Sequence, residues 1–196
     1  MRLGRIIIVL VTAVSLLTEA CGTYFDVDVC YYRPNSSVLR DTYSDAWVNY
    51  QFTLDVPVGC NSYFWTAVGI HIEDGSSEGN EVIDTWYRGV PVTLGAKYYI
   101  PCSCIQFYGG LGLRYFNVRI INCSGIVDNI VSKAAVGGAA VLGARLNMGD
   151  CLSLNTFVDY SFNGDILTRL QRGITNETSS LEVDGLLVGA GVSFCF

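Results

Sequence analysis

Residues 186–196 read Leu-Leu-Val-Gly-Ala-Gly-Val-Ser-Phe-Cys-Phe and bring the chain to its end on an aromatic ring. The even positions Leu186, Val188, Ala190, Val192, Phe194 and Phe196 are all apolar, whereas Gly189, Gly191, Ser193 and Cys195 are small or polar. A period of two marks a β-strand with one greasy face. The length also suits a tilted strand that crosses a bilayer. Whether that face meets a protein core or lipid decides the fold.

Working outward, the same alternation recurs along the chain. Phe25, Val27, Val29 and Tyr31 alternate with Asp26, Asp28, Cys30 and Tyr32. From Trp47 to Val56, the apolar Val48, Tyr50, Phe52, Leu54 and Val56 oppose Asn49, Gln51, Thr53 and Asp55. A third strand sets Phe64, Thr66, Val68, Ile70 and Ile72 against Trp65, Ala67, Gly69, His71 and Glu73. The fourth runs over Val90–Ile100, where Pro91 cannot donate to a ladder and predicts a bulge. The fifth covers Ile105–Tyr115. The alanines of Val136–Leu146 would also suit a helix, but Gly137, Gly138 and Gly143 favour a sixth strand. Leu152–Phe162 is the seventh, and the closing stretch is the eighth. Connections near Val58, Pro101 and Gly149 are short. Those around Asn35, Ser76, Ser124 and Ile174 are longer and polar, with loops expected over 74–80, 122–133 and 164–180. Eight strands whose connections alternate short and long predict an antiparallel up-and-down barrel, all-β, with two unlike ends.

The charges decide what surrounds it. Asp26, Asp28, Asp55, Lys97, Arg114, Arg145 and Asp159 all fall on the Gly, Ser and Asn face of their strands. A soluble barrel would turn its charged face to water and carry Lys and Glu there in numbers. Only 15% of this chain is charged, against about 25% in an average soluble domain. An inverted barrel fits, with lipid outside and these seven residues forming a charge network in a narrow lumen. A cation facing lipid at mid-depth would cost about 2–4 kcal/mol. Aromatics band as interfaces require: Phe25, Phe64, Tyr98, Phe107, Phe194 and Phe196 at the short-turn end, and Tyr31, Tyr115, Tyr160 and Phe162 at the other. A lumen filled by side chains excludes bulk transport. A formal net charge of −6 without a basic run excludes nucleic acid as the main partner.

At the N-terminus, Arg2 and Arg5 precede the apolar run 6–17, and Thr18-Glu19-Ala20 follows. This is the pattern of a secretory signal peptide, 1–20, ahead of a barrel domain, 21–196. An uncleaved anchor is the alternative, and the run is short for a span. Cys21 raises a lipoprotein reading, which Thr18 and Glu19 fit poorly.

Residues 91–100, PVTLGAKYYI, 107–116, FYGGLGLRYF, 155–162, NTFVDYSF, and the closing stretch LLVGAGVSFCF resemble the small outer-membrane β-barrel proteins of the OmpA, OmpX and OmpW type. That resemblance implies residence in the bacterial outer membrane and contact with its lipid. It also implies that Phe196, with Phe194, is a signal read by the barrel-assembly machinery, and it implies no particular activity and no cofactor.

The chain departs from that family in its eight cysteines. Cys21, Cys60, Cys102, Cys104, Cys151 and Cys195 gather at the short-turn, periplasmic rim, and Cys30 and Cys123 lie elsewhere. In this respect it resembles the cysteine-rich envelope proteins of some intracellular bacteria. An oxidising compartment lets such cysteines pair, within the chain or to other envelope proteins. Six cysteines allow 15 connectivities, and isolated thiols are the alternative.

Other chemistry is thin. His71, the single histidine, shares a face with Glu73, and Ser76 or Ser77 lies near in sequence. Some barrels of this type modify lipid with a histidine, an acid and a serine, which makes a lipid-modifying enzyme one alternative. A soluble, lipocalin-like binder of an apolar ligand is another. No catalytic residue is assigned, the spacing of Cys102, Cys104 and His71 supplies no metal-ligand set, and Gly109–Gly112 is followed by no phosphate-binding helix. The Asn35, Asn122 and Asn176 tripeptides match a glycosylation pattern and read as polar loop residues in a bacterium.

Overall fold

The structure is a computed structural model and describes residues 22–77, 83–100, 105–123, 128–162 and 183–196. The expected signal segment 1–20, Cys21, Cys102, Cys104 and the whole of the 164–180 loop lie outside the described residues. The elements are β1 Tyr24–Pro34, a short helix α1 Ser37–Thr42, β2 Trp47–Pro57, β3 Ser62–Ser77, β4 Ile83–Ile100, β5 Ile105–Cys123, β6 Asp128–Asn147, β7 Leu152–Phe162 and β8 Gly185–Cys195. All eight strands pair antiparallel with their sequence neighbours, and β8 also pairs with β1. The sheet therefore closes on itself over the part in which all eight strands pair. No described helix is long and apolar enough to cross a membrane, a fact that does not bear on strands.

The register fixes the shape. Partners followed once around the barrel run Tyr24, Asp55, Trp65, Gly95, Gly112, Ala139, Ser161, Gly185 and Pro34. One circuit thus climbs β1 from Tyr24 to Pro34, a stagger of ten residues. Stagger of this kind tilts the strands, typically by about 35–45°, and leaves an eight-stranded interior just wide enough for side chains.

Alternation sorts the two faces as the sequence predicts. Leu111, Leu113 and Leu142 are 69%, 69% and 70% exposed, while Asp26, Asp28, Asp55, Arg145 and Asp159 are each 0% exposed. In water that arrangement would be inside out, because apolar burial drives folding and charges seek solvent. With lipid around the barrel each group has its proper surroundings. A lipocalin-like barrel has the reverse polarity. Phe25 faces Phe194 across the β1–β8 pair, and Tyr31 faces Val188 six residues nearer the other end of the same ladder's apolar face.

Two expectations are corrected. The loops expected over 74–80 and 122–133 are largely strand: β3 continues to Ser77, β4 starts at Ile83 rather than near Val90, β5 reaches Cys123 and β6 begins at Asp128. Polar composition suggested loops there, but pairing between long neighbours carries the ladder through Asp84↔Cys123 and Cys123↔Asp128. The bulge expected at Pro91 is absent. Pairing between β3 and β4 passes from Val68↔Val92 to His71↔Gly89 with no inserted residue. Gly69 makes room, since a Cβ there would lie 2.8 Å from Pro91 Cγ. The first long connection contains α1, which packs Leu39 inward. Arg40 Nη1 holds the turn before it, donating to the carbonyls of Pro34 at 2.8 Å and Asn35 at 2.6 Å.

Leu111 stands between Ala96 and Ala140 on the outward face, between the two aromatic bands. Leu111→Arg is expected to cost about 2–4 kcal/mol in reversible unfolding from lipid vesicles, and an unchanged denaturation midpoint would count against a lipid-facing position.

Candidate functional site

The chemistry of the molecule is concentrated in its lumen. Strand alternation turns one residue in two inward, and the stagger brings inward residues of distant strands to one level. Near the short-turn end, Arg145 of β6 reaches across to β1, with Nη2 donating to both Asp26 carboxylate oxygens at 3.0 Å. It also lies 3.5 Å from Asp55 Oδ2 of β2. Its guanidinium stacks over Tyr24 at 3.9 Å and beside Tyr99 at 5.1 Å. Lys97 Nζ donates to Asp55 Oδ2 at 3.0 Å and sits 5.1 Å from the Trp65 ring and 4.9 Å from Tyr108. Tyr99 donates its hydroxyl to Asp55 at 2.5 Å, and Ser193 donates to Asp26.

The network continues upward. Tyr108 donates to Asn155 Oδ1 at 2.8 Å, and Asn155 Nδ2 donates to Asp28 at 3.1 Å. Higher still, Arg114 donates from Nε to Thr93 at 2.7 Å and from Nη2 to Asp159 at 2.5 Å. Three cations thus pair with three of the four lumen carboxylates, and among the described residues the fourth, Asp28, has an amide rather than a cation against it. Buried charges persist only when paired and hydrogen-bonded, and each cation here has both a carboxylate and an aromatic or hydroxyl neighbour.

Aromatic side chains close the lumen at both ends. Below, Tyr63 lies 4.7 Å from Tyr99, which lies 5.0 Å from Tyr108. Gly143 lies under the Tyr108 ring, and a Cβ there would occupy the space of the phenol. Above, Trp47 packs 4.7 Å from Tyr87 and 5.4 Å from Tyr32, and Tyr43 of the α1 connection covers both Trp47 and Tyr87. The interior is packed rather than open.

His71 belongs to this upper layer. It is buried, 4.8 Å from the Tyr32 ring, and its Nε2 has no partner among the described residues. Ser76 is exposed and five residues farther along the same strand, roughly 16 Å at about 3.3 Å per residue. A histidine, an acid and a serine are therefore not brought together here. No group of three or more His, Cys, Asp or Glu that could hold a metal occurs among the described residues.

At the short-turn rim, Cys60 and Cys151 are exposed and Cys195 is partly buried, whereas Cys30 lies inside the lumen. Phe194 and Phe196 point outward, 41% and 59% exposed. The last residue is held against the first strand, with Phe196 N donating to Thr23 O at 2.9 Å.

An apolar exterior wrapped around a salt-bridged, side-chain-filled lumen defines a transmembrane β-barrel of eight strands. Its fold is that of the small outer-membrane barrels. It is similar to the outer membrane protein OprG from Pseudomonas aeruginosa, with a TM-score of 0.64, 16% identity, and 90% of this chain and 96% of that one covered. It is similar to Ail, the attachment invasion locus protein of Yersinia pestis, crystallised with the heparin analogue sucrose octasulfate, with a TM-score of 0.55, 12% identity, and coverage of 89% and 97%. Neisserial surface protein A is similar too, with a TM-score of 0.54, 17% identity, and coverage of 89% and 97%. No family model matches the sequence, and no curated protein matches it.

Sequence reading put the seven charged residues on one face but assigned no role to Tyr99, Tyr108, Asn155, Thr93 and Ser193, which bond them. The available signal was inward parity alone.

Arg114→Met leaves the Asp159 carboxylate buried without its cation and is expected to destabilise the barrel by about 3–5 kcal/mol. Adding Asp159→Asn should restore much of that loss. A double-mutant cycle in detergent or vesicles reads both, and additive losses would mean that the two residues do not act as a pair.

Proposed function

We propose that the chain is an integral, non-enzymatic protein of the bacterial outer membrane, with a role in envelope structure and surface contact. The observation that carries this reading is the burial of the seven charged residues of the central strand segments in the lumen beneath an apolar exterior, the exposed strand charges Arg33, Asp74, Asp84, Arg88 and Arg119 lying toward the long-loop end. The short-turn end faces the periplasm and the long-loop end faces outward, the orientation general to such barrels. Residues 1–20 are a signal peptide, and Phe194 and Phe196 are read by the barrel-assembly machinery. The cysteines at the periplasmic rim form disulfides, within the chain or to other envelope proteins.

Contact is made by the outer part of the sheet. Strands β3 to β6 continue after the pairings of their outer neighbours have ended, at Tyr50↔Ile70 for β2–β3 and Gly138↔Phe162 for β6–β7. Among the described residues, 128–137 of β6 have no partner on the β7 side and 71–77 of β3 have none on the β2 side. Backbone of this kind accepts an extended segment of a partner protein. A polyanion like the one crystallised with Ail is disfavoured by the net charge of −6.

A lipid-modifying role is disfavoured by the distance from His71 to Ser76 and by the packing of His71 against Tyr32. The protein is expected in the outer-membrane fraction, migrating faster unheated than heated, and to give no steady conductance in planar bilayers. His71→Ala should leave the lipid A profile of the cell unchanged. Recovery in aqueous buffer without detergent, or a changed lipid profile, would overturn the reading.

A further inference from the structure

We propose that Cys151 and Cys195 form an intrachain disulfide across the final rung of the β7–β8 pair. The inference rests on the periplasmic placement of the short-turn end proposed above, and it names one pairing where that reading names none. The β7–β8 ladder ends in Ser153↔Ser193 and Leu152↔Phe194. The next residues in the same register are Cys151 and Cys195, and Cys195 N donates to Cys151 O at 3.0 Å. They are therefore directly opposite.

They also share a face. Ser153 and Ser193 are both buried on the lumen side, and a strand returns to the same face every second residue. Opposite residues on a hydrogen-bonded antiparallel rung have Cα atoms about 5.5 Å apart, within the roughly 4.4–6.8 Å that a disulfide spans. Of the other described cysteines, Cys30 is inside the lumen, Cys60 is on the β2–β3 turn, separated from β8 by β1 and β2, and Cys123 ends β5 at the opposite, long-loop end. None of the three is placed to compete for Cys195.

Cys151 is exposed on its turn and is the sulfur an oxidant reaches first. The oxidant is a disulfide-bearing protein of the thiol oxidoreductase class. The Cys151 thiolate attacks the donor disulfide, forming a mixed disulfide and releasing one donor thiol. The Cys195 thiolate then attacks the Cys151 sulfur and releases the second. The cysteine pair loses two electrons and two protons, and the donor disulfide gains them. The bond would fasten the end of β8, the strand that closes the barrel by pairing with both β7 and β1, to the β6–β7 turn.

The test uses the full-length protein expressed in a Gram-negative host, lysed in N-ethylmaleimide, with the outer-membrane fraction denatured and then digested by trypsin without reduction. Cleavage at the arginines gives peptides 146–169 and 173–196, each with a single cysteine. The expected result is their covalently linked mass, lost after dithiothreitol. In Cys151→Ala and in Cys195→Ala the linked mass disappears, while heat-modifiable migration shows that the barrel still folds. Protein in the outer membrane with both peptides carrying N-ethylmaleimide, or with Cys195 joined to another cysteine, overturns the pairing alone. Protein recovered outside the outer membrane overturns the placement and the pairing with it.

Discussion

Hydrocarbon offers no water to hydrogen-bond a backbone, so every amide and carbonyl of a spanning sheet must find its partner within the sheet. Closure follows from this, and β8 meets it by pairing with β1 along their whole length, from Tyr24↔Cys195 to Pro34↔Gly185. Closure fixes the stagger, and the stagger fixes which side chains share a level in the lumen. A slip of one residue in any strand would turn that strand's inward set toward lipid. For β6 it would carry Arg145 out of contact with Asp26 and Asp55.

The lumen is consequently both the polar core of the molecule and the lock on its register. Arg145 touches carboxylates on β1 and β2 while standing on β6. Lys97 on β4 shares Asp55 with it, and Arg114 on β5 holds Asp159 on β7. These pairs join strands that are not neighbours in the sheet, so they act across the barrel where backbone bonds act around it. The cost of stripping water from such charges is offset only with complete partners. The tyrosines serve that end, supplying hydroxyl donors to Asp55 and Asn155 and ring faces to Arg145 and Lys97. Filling the lumen in this way separates the two ends of the barrel into independent surfaces, one made of short turns and thiols, the other of an elongated sheet.

Much of this was legible because the side-chain period of a strand is two. The alternation through Phe25–Tyr32, Trp47–Val56 and Leu152–Phe162 places polar and apolar residues on opposite faces without reference to any other segment. The ambiguous Val136–Leu146 resolves the same way, its glycines outweighing its alanines. Composition misled where strands leave the membrane. Residues 74–77, 122–123 and 128–133 belong to the part of the sheet beyond the apolar band, and their polar composition resembles a loop. Pro91 misled for a different reason: its ring is accommodated by Gly69 on the facing strand, a partner that local sequence does not identify.

The sequence by itself determined the number of spanning strands, the face each residue occupies and the inversion of polarity, because all three depend only on residues a few positions apart. The tertiary structure alone decided the stagger of ten, the partner of each buried charge, the aromatic closures and the meeting of Cys151 with Cys195. Those depend on register between strands, which is set when the ring closes and is written in no single segment, the closing stretch 186–196 included.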